Sequence, residues 1–297
     1  MKKQGKRKKI TSGKAVYFAF TVIPLFLYSF FYVVSVINGI SYSFTNWDGI
    51  SKDYQFVGFR NYVLLMKNPI FWNSIRVTVC YSILLVTGVI SVSLMLAIAL
   101  NSIHRFKTLV KSVFFVPAMI GGVTIALIWD QLYYRVIPVI GQALGLEWLS
   151  RSPLSNGNLA LPAVVFVQCW QAVATPTVIF LAGLQQIPDE QYESAEIDGA
   201  TAFQRFRYIT MPYLIPTVTV NLVLIIKQGF TSFDFPFALT GGGPVRATEV
   251  VGILLYNDAY KNMRFATANA EACILFLFVA LFSFIQLRLT SKKGAYE

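Results

Sequence analysis

One histidine, three cysteines and a charged fraction of 13% leave this 297-residue chain with little of what most site chemistry requires. The single His104 stands beside Arg105 and Lys107, with no second imidazole and no acid partner, so both a zinc site and a nucleophilic triad lack their parts. Cys80, Cys169 and Cys273 each fall inside an apolar run, where a thiol behaves as a small hydrophobe. No disulfide, metal site or catalytic residue is expected. The glycine run Gly241-Gly242-Gly243-Pro244 lacks the lysine of a phosphate-cradling loop and follows no soluble strand, which places any ATP chemistry on another protein. No cofactor is expected on this chain, and it does not read as an enzyme.

What is abundant is apolar. Hydrophobic residues make up 56% of the chain and aromatics 15%, with mean hydropathy +0.59, whereas a soluble domain carries about 25% charged residues. The composition indicates an all-α polytopic membrane protein. The net charge of +11 suggests nucleic acid at first sight, but seven of the 25 basic residues precede residue 15 and the others flank apolar runs. That distribution is the footprint of membrane topology, so no nucleic-acid partner is expected and membrane lipid is.

Six spans follow from the hydropathy, at about residues 15–40, 75–100, 113–133, 159–184, 213–239 and 265–287. Residues 1–14 form a basic arm, 15–290 the membrane domain and 291–297 a short tail. The first run is too long for a signal-peptide core and has no small-x-small cleavage pattern after it, so it reads as an uncleaved span kinked at Pro24. A short interfacial helix is expected near 61–66. Lysine and arginine number fifteen on the side that holds both termini and eight on the other. The positive-inside rule therefore puts both termini in the cytoplasm of a multi-pass protein of the plasma or inner membrane.

The same rule makes the loop at 185–212 cytoplasmic. It carries five carboxylates within ten residues: Asp189, Glu190, Glu193, Glu196 and Asp198. Pro188 and Asp189 start a helix whose acids sit at the positive end of its dipole, and Asp198-Gly199 stops it. A second stretch, 201–209, places Ala202, Phe203, Phe206 and Ile209 on one face, and Pro212 then opens the fifth span. A polar connection this long, with helical patterning of its own, is built to touch something.

Glu193-Ser194-Ala195, three residues, Gly199, nine residues, Ile209, one residue and Met211-Pro212 resemble the EAA loop of binding-protein-dependent ABC importers. Ser194 and Met211 depart from the usual alanine and leucine with size and helix compatibility kept. FVGFRNY (56–62), the Asn68-Pro69-Ile70-Phe71-Trp72 that follows, and LTGGGP (239–244) with Ala247-Thr248-Glu249 resemble carbohydrate-uptake permeases related to the first membrane subunits of maltose and glycerol-3-phosphate importers. The glycine usual before the last span is missing from 265–270. The resemblance implies a type I ABC importer permease fold of six helices, paired with a second homologous permease, a dimer of ATP-binding subunits and an extracytoplasmic solute-binding protein that delivers a carbohydrate. It also implies that Glu193, Ser194, Ala195, Asp198, Gly199, Ala200 and Pro212 couple the chain to the ATPase, with Glu193 meeting a basic residue there.

Physical reasoning points separately to a solute path. Charged residues inside spans are expensive and default to functional candidates. Lys227, Phe230, Thr231, Asp234 and Ala238 share one face of the fifth span at i, i+3, i+4, i+7 and i+11. Sugars are held by aromatic faces and by hydrogen bonds to their hydroxyls, which selects Phe230, Phe233, Asp234 and Phe237, joined by Gln168, Gln171 and Thr175 on the fourth span. Lys227 with Asp234, or with Glu271, serves equally as a structural pair between helices. An ion-coupled secondary transporter using Lys227, Asp234 and Glu271 is the alternative, although the inverted repeats such transporters carry are not visible.

Overall fold

The computed structural model describes residues 11–102 and 114–291. Most of the basic arm, His104 with Arg105 and Lys107, the start of the third span and nearly all of the tail lie outside them.

Among the described residues the regular structure is helical, apart from one isolated antiparallel bridge between Thr45 and Phe56. α1 (Thr11–Tyr28) contains Pro24 and runs through a π segment, Ser29–Val33, into α2 (Val34–Tyr42). α3 (Arg60–Lys67) is the short helix expected near 61–66, and α4 (Pro69–Ser102) follows it. α5 (114–119) and α6 (Gly122–Gln131) are separated at Ile120 and Gly121. α6 continues through a π segment into α7 (Ile137–Ala143), and then come α8 (Gly157–Ala172) and α9 (Ala174–Leu184). The remainder is α10 (Asp189–Ile197), α11 (Ala202–Arg205), α12 (Met211–Phe230), α13 (Asp234–Thr240), α14 (Val251–Tyr256) and α15 (Phe265–Ser291).

Five helical stretches are long and apolar enough to cross a membrane: Phe20–Tyr42, Pro69–Ser102, Gly122–Ala143, Ala202–Phe230 and Phe265–Gln286. α8 and α9 pass the same test together but meet at a bend of 51°, which makes up to six spans. Several boundaries differ from the expected ones: the helix of the third span runs on to Ala143, and that of the fifth stops at Phe230. α4 starts at Pro69, where proline is tolerated because the first-turn N–H needs no partner, and the helix of the fifth span starts at Ala202 instead of Pro212.

α4 is the central rod. It packs against α8, α9, α12 and α14, and its buried face includes Tyr81, Leu85 and Val89, all with no exposed surface. In lipid the drive for helix association is close packing, since the surroundings are as apolar as the core. Small residues provide it: a Cβ on Gly229 of α12 would stand 2.8 Å from Ser82 Oγ of α4, and one on Gly88 of α4 would stand 3.1 Å from Cys169 Sγ of α8. A second cluster, Ala97, Leu100, Phe180, Leu184, Ile187 and Leu214, closes the end of the bundle beside the acidic loop.

Candidate substrate cleft and coupling segment

α10 begins at Pro188 and carries Asp189 and Glu190 in its first turn, where carboxylates complement the helix dipole. Its end is fixed by backbone geometry. Gly199 takes φ +73°, a left-handed conformation that costs glycine little. The Ala200 N–H then donates to the Ala195 carbonyl at 2.9 Å and the Gly199 N–H to Glu196 at 3.1 Å, the paired bonds of a Schellman motif. Thr201 and Gln204 form a reciprocal capping box that opens α11. Glu193, Ser194, Asp198 and Gly199 are exposed, with Ala195 and Ala200 half-buried. Arg205 meets Glu196 at 3.3 Å across the turn. Exposed apolar surface stands among these charges, at Ile197, Phe203 and Tyr208.

No joint separates this segment from the membrane. α11 passes through a π segment, Phe206–Thr210, into α12, and the Met211 N–H donates to Phe206 five residues back. The wider register falls just before Pro212, whose ring would crowd the carbonyl four residues earlier in a regular α-helix. Phe206 and Ile209 of the expected apolar face are half-buried, but Phe203 points outward and is 72% exposed. Tyr192 is tied to Thr210 by a 2.8 Å hydroxyl hydrogen bond, and Gln191 donates to the Tyr213 hydroxyl at 2.7 Å. These bonds brace α10 against the foot of the long helix.

Three helices are interrupted: at Ile120–Gly121, at Val173, and between Phe230 and Asp234. A cavity of about 520 Å³ is lined by residues beside all three breaks, among them Ala118, Gln171, Thr175, Lys227, Gln228 and Thr231. Irregular backbone at membrane depth is tolerated only inside protein or along a cavity, and side chains here take up groups that the helices release. Gln171 donates its amide to the Ile120 carbonyl at 2.8 Å. Asn221, with no exposed surface, donates to the Pro176 carbonyl at 3.3 Å. Gln168 Oε1 accepts from Ser232 Oγ at 2.9 Å and from the Tyr81 hydroxyl, joining the break after α12 to the central rod.

The predicted path residues separate accordingly. Lys227, Thr231 and Gln171 line the cavity. Gln168 does not; it is 2% exposed and held in its polar cluster. Because the helix ends at Phe230, the continuous face expected from Lys227 to Ala238 does not exist, and Phe230 instead packs its ring on Phe282 of α15 at 6.0 Å. Phe233 and Phe237 stack on each other at 4.8 Å and both contact Tyr256. Asp234 is an exposed first-turn residue of α13. Neither expected pair forms: among the described residues the ion pairs are Arg205–Glu196 and Arg246–Glu249, and none joins Lys227, Asp234 and Glu271. Two turns of helix separate Lys227 from Asp234 only if the helix persists, and it breaks between them. Glu271 is fully buried with neither carboxyl oxygen hydrogen-bonded. The described residues hold no metal-binding group of His, Cys, Asp and Glu.

The family model for the binding-protein-dependent transport system inner membrane component matches residues 14–294. The chain belongs to that family. The match extends over both the acidic loop and the interrupted helices, and it agrees with the resemblance carried by Glu193 to Pro212. Among curated relatives of this family, the multiple sugar-binding transport system permease protein MsmF of Streptococcus mutans is 40% identical over 273 residues, covering 92% of this chain and 94% of the relative. The sn-glycerol-3-phosphate transport system permease protein UgpA of Brucella abortus is 29% identical, covering 93% and 97%. A solved bacterial ABC transporter involved in import of the acidic polysaccharide alginate superposes with TM-score 0.79 at 20% identity, over 94% of this chain and 96% of that one. The fold is therefore that of an ABC importer permease, and the protein is a multi-pass membrane component.

Sequence reasoning missed Tyr81, Ser232 and the Ile120 carbonyl as partners of the two glutamines. A signal existed in Pro117, the Gly121-Gly122 pair and Thr175-Pro176, which mark weak points in otherwise apolar runs. Their convergence on one cavity depends on packing that no local pattern records.

Proposed function

We propose that this chain is the membrane-spanning permease subunit of an ATP-driven importer that translocates a sugar or oligosaccharide. It crosses the membrane six times with both termini in the cytoplasm. A solute-binding protein outside the cell delivers the solute, a second homologous permease completes the pathway, and a dimer of separate subunits hydrolyses ATP. The carrying observation is that the cavity at the three breaks lies at the far end, beside Lys227 and Gln228, of the very helix that starts, without a joint, in the acidic coupling segment.

The cavity suits a polyol. Gln171 and Gln228 offer amides, Thr175 and Thr231 hydroxyls and Lys227 a cation, in a volume of about 520 Å³ that falls in the usual range for small-molecule sites of about 300–1,000 Å³. Phe233, Asp234 and Phe237 stand just beyond the break. Glu193 to Ala200 seat in a cleft of the ATPase, with Glu193 against a basic residue and Pro212 passing the motion to α12. Nucleotide closure draws the segment inward, the long helix tilts, and the cavity turns outward to receive solute; hydrolysis resets it.

The test is reconstitution with the partner subunits in proteoliposomes. Gly199→Asp abolishes uptake and solute-stimulated ATP hydrolysis while the chain still inserts, and a panel of sugars identifies the solute. Uptake by this chain without an ATPase, or full activity of the Gly199→Asp variant, overturns the reading.

A further inference from the structure

The FVGFRNY stretch contains a cation, Arg60, to which the proposed transport path gives no role. Its neighbours are explained by packing. Asn61 is buried and donates to the Ser43 and Thr45 carbonyls at 2.8 and 2.7 Å, and the Tyr62 hydroxyl shares a 2.7 Å hydrogen bond with Ser43. Arg60, one residue earlier, is exposed, and among the described residues its guanidinium has neither a hydrogen bond nor an ion pair. It lines a cavity of about 310 Å³ whose walls include Asn46, Trp47, Met263 and a second exposed arginine, Arg264.

Backbone geometry holds that second arginine in place. Met263 adopts φ +52°, a left-handed conformation that a side-chain-bearing residue keeps only where its surroundings enforce it. The Arg264 N–H donates to the Asp258 carbonyl at 2.7 Å and the Ala266 N–H to the Trp47 carbonyl at 3.0 Å, which lock this turn to the loop bearing Trp47 and Asn46. Among the described residues no nearby carboxylate pairs with either arginine. Asp48 accepts from the Ile50 and Ser51 N–H groups and from the Ser51 hydroxyl, and these bonds, the Ser51 hydroxyl foremost, hold its carboxyl down at about 2. Asp258 accepts from Asn262 at 2.7 Å, and Glu271, buried in α15 within electrostatic range of Arg264, forms no ion pair with it.

We propose that this cavity binds a phosphoryl group through Arg60 and Arg264, presented by a phospholipid headgroup or by a soluble phosphate. Guanidinium groups match phosphate oxygens in charge and fork geometry, and two of them on one cavity, neither held in an ion pair among the described residues, form an anion site beside Trp47. The inference stands whatever solute the central cavity carries.

The experiment uses the purified full chain in mild detergent, incubated with phosphatidylglycerol, with diacylglycerol of the same acyl chains, or with inorganic phosphate alone. Retained lipid is read by native mass spectrometry and stability by thermal unfolding. Selective retention of phosphatidylglycerol undisturbed by phosphate identifies the lipid source, and stabilisation or competition by inorganic phosphate identifies a soluble one. The double variant Arg60→Gln/Arg264→Gln weakens binding by about tenfold or more, and the double lysine variant keeps part of it. If phosphatidylglycerol is retained no better than diacylglycerol and phosphate has no effect, or if the glutamine variant binds as well as the parent, the proposal fails. Should the glutamine variant not fold, phenylglyoxal labelling of Arg60 and Arg264 in the parent decides: protection by the phosphoryl ligand supports the site, and equal labelling overturns it.

Discussion

The Gln171 amide reaches the Ile120 carbonyl across 2.8 Å, fastening the bent fourth span to the broken third at the rim of the central cavity. Gln171→Leu leaves that carbonyl without its donor and lowers stability by about 1–3 kcal/mol, the cost of an unsatisfied polar group. Gln171→Glu, which cannot donate when ionised, acts in the same direction. Apparent thermal midpoints of the purified variants check this, and midpoints equal to the parent's refute it.

Gly229 and Ser82 set the distance between α12 and the central rod α4. Gly229→Ala places its new carbon 2.8 Å from Ser82 Oγ and 2.9 Å from the Ser82 Cα, so α12 is forced off α4 at about 1–3 kcal/mol, the usual cost of overpacking. Ser82→Gly in the same chain removes the side-chain contacts but not the one to Cα. Partial recovery of thermal stability in the double variant is expected, and complete recovery would show that the backbone contact is harmless.

Lys227 and Asp234 are both exposed and make no ion pair with each other. Asp234→Asn and Lys227→Gln therefore leave expression and assembly with the partner subunits unchanged while uptake falls. Detergent pull-down of the complex beside a transport assay separates the two effects. Loss of assembly in either variant would restore the structural-pair reading.

A side chain at Gly199 meets nothing within 4 Å, so only the backbone resists it, at φ +73°. Gly199→Val costs about 1–2 kcal/mol for a left-handed residue, and Gly199→Asn much less. On the proposed coupling reading both reduce uptake further than this loss of stability accounts for, because they fill space meant for the ATPase. Uptake that simply follows the stability of the two variants would argue against contact at this position.

How much was legible in the sequence depended on how local the cause was. Pro188, the acids of the first turn and Gly199 act within one helix, and α10 starts and stops where they say. The short α3 likewise came from its own pattern. The central cavity was only half legible. Lys227, Thr231 and Gln171 drew attention as polar residues in apolar surroundings, and they do line it. Phe230, chosen as an aromatic face for a sugar, and Gln168, chosen as a polar residue, face elsewhere, because the face of a residue was projected along helices assumed unbroken. The interruption after Phe230 has a local mark in Pro236, whose ring would crowd the Ser232 carbonyl in a continuous helix; how the freed turn is held, by Ser232 on Gln168 and behind it Tyr81, is a tertiary arrangement. Pro212, conversely, suggested a start that the preceding π turn makes unnecessary.

The uninterrupted run from Ala202 to Phe230, 29 residues, has a consequence for scale. At helical rise it is a stick about 44 Å long, and a swing of about 10° carries its far tip about 7–8 Å. A displacement of that size exceeds the width of a sugar ring. On the proposed coupling, a modest nudge at one extremity is thus leverage enough to open or shut a passage at the other.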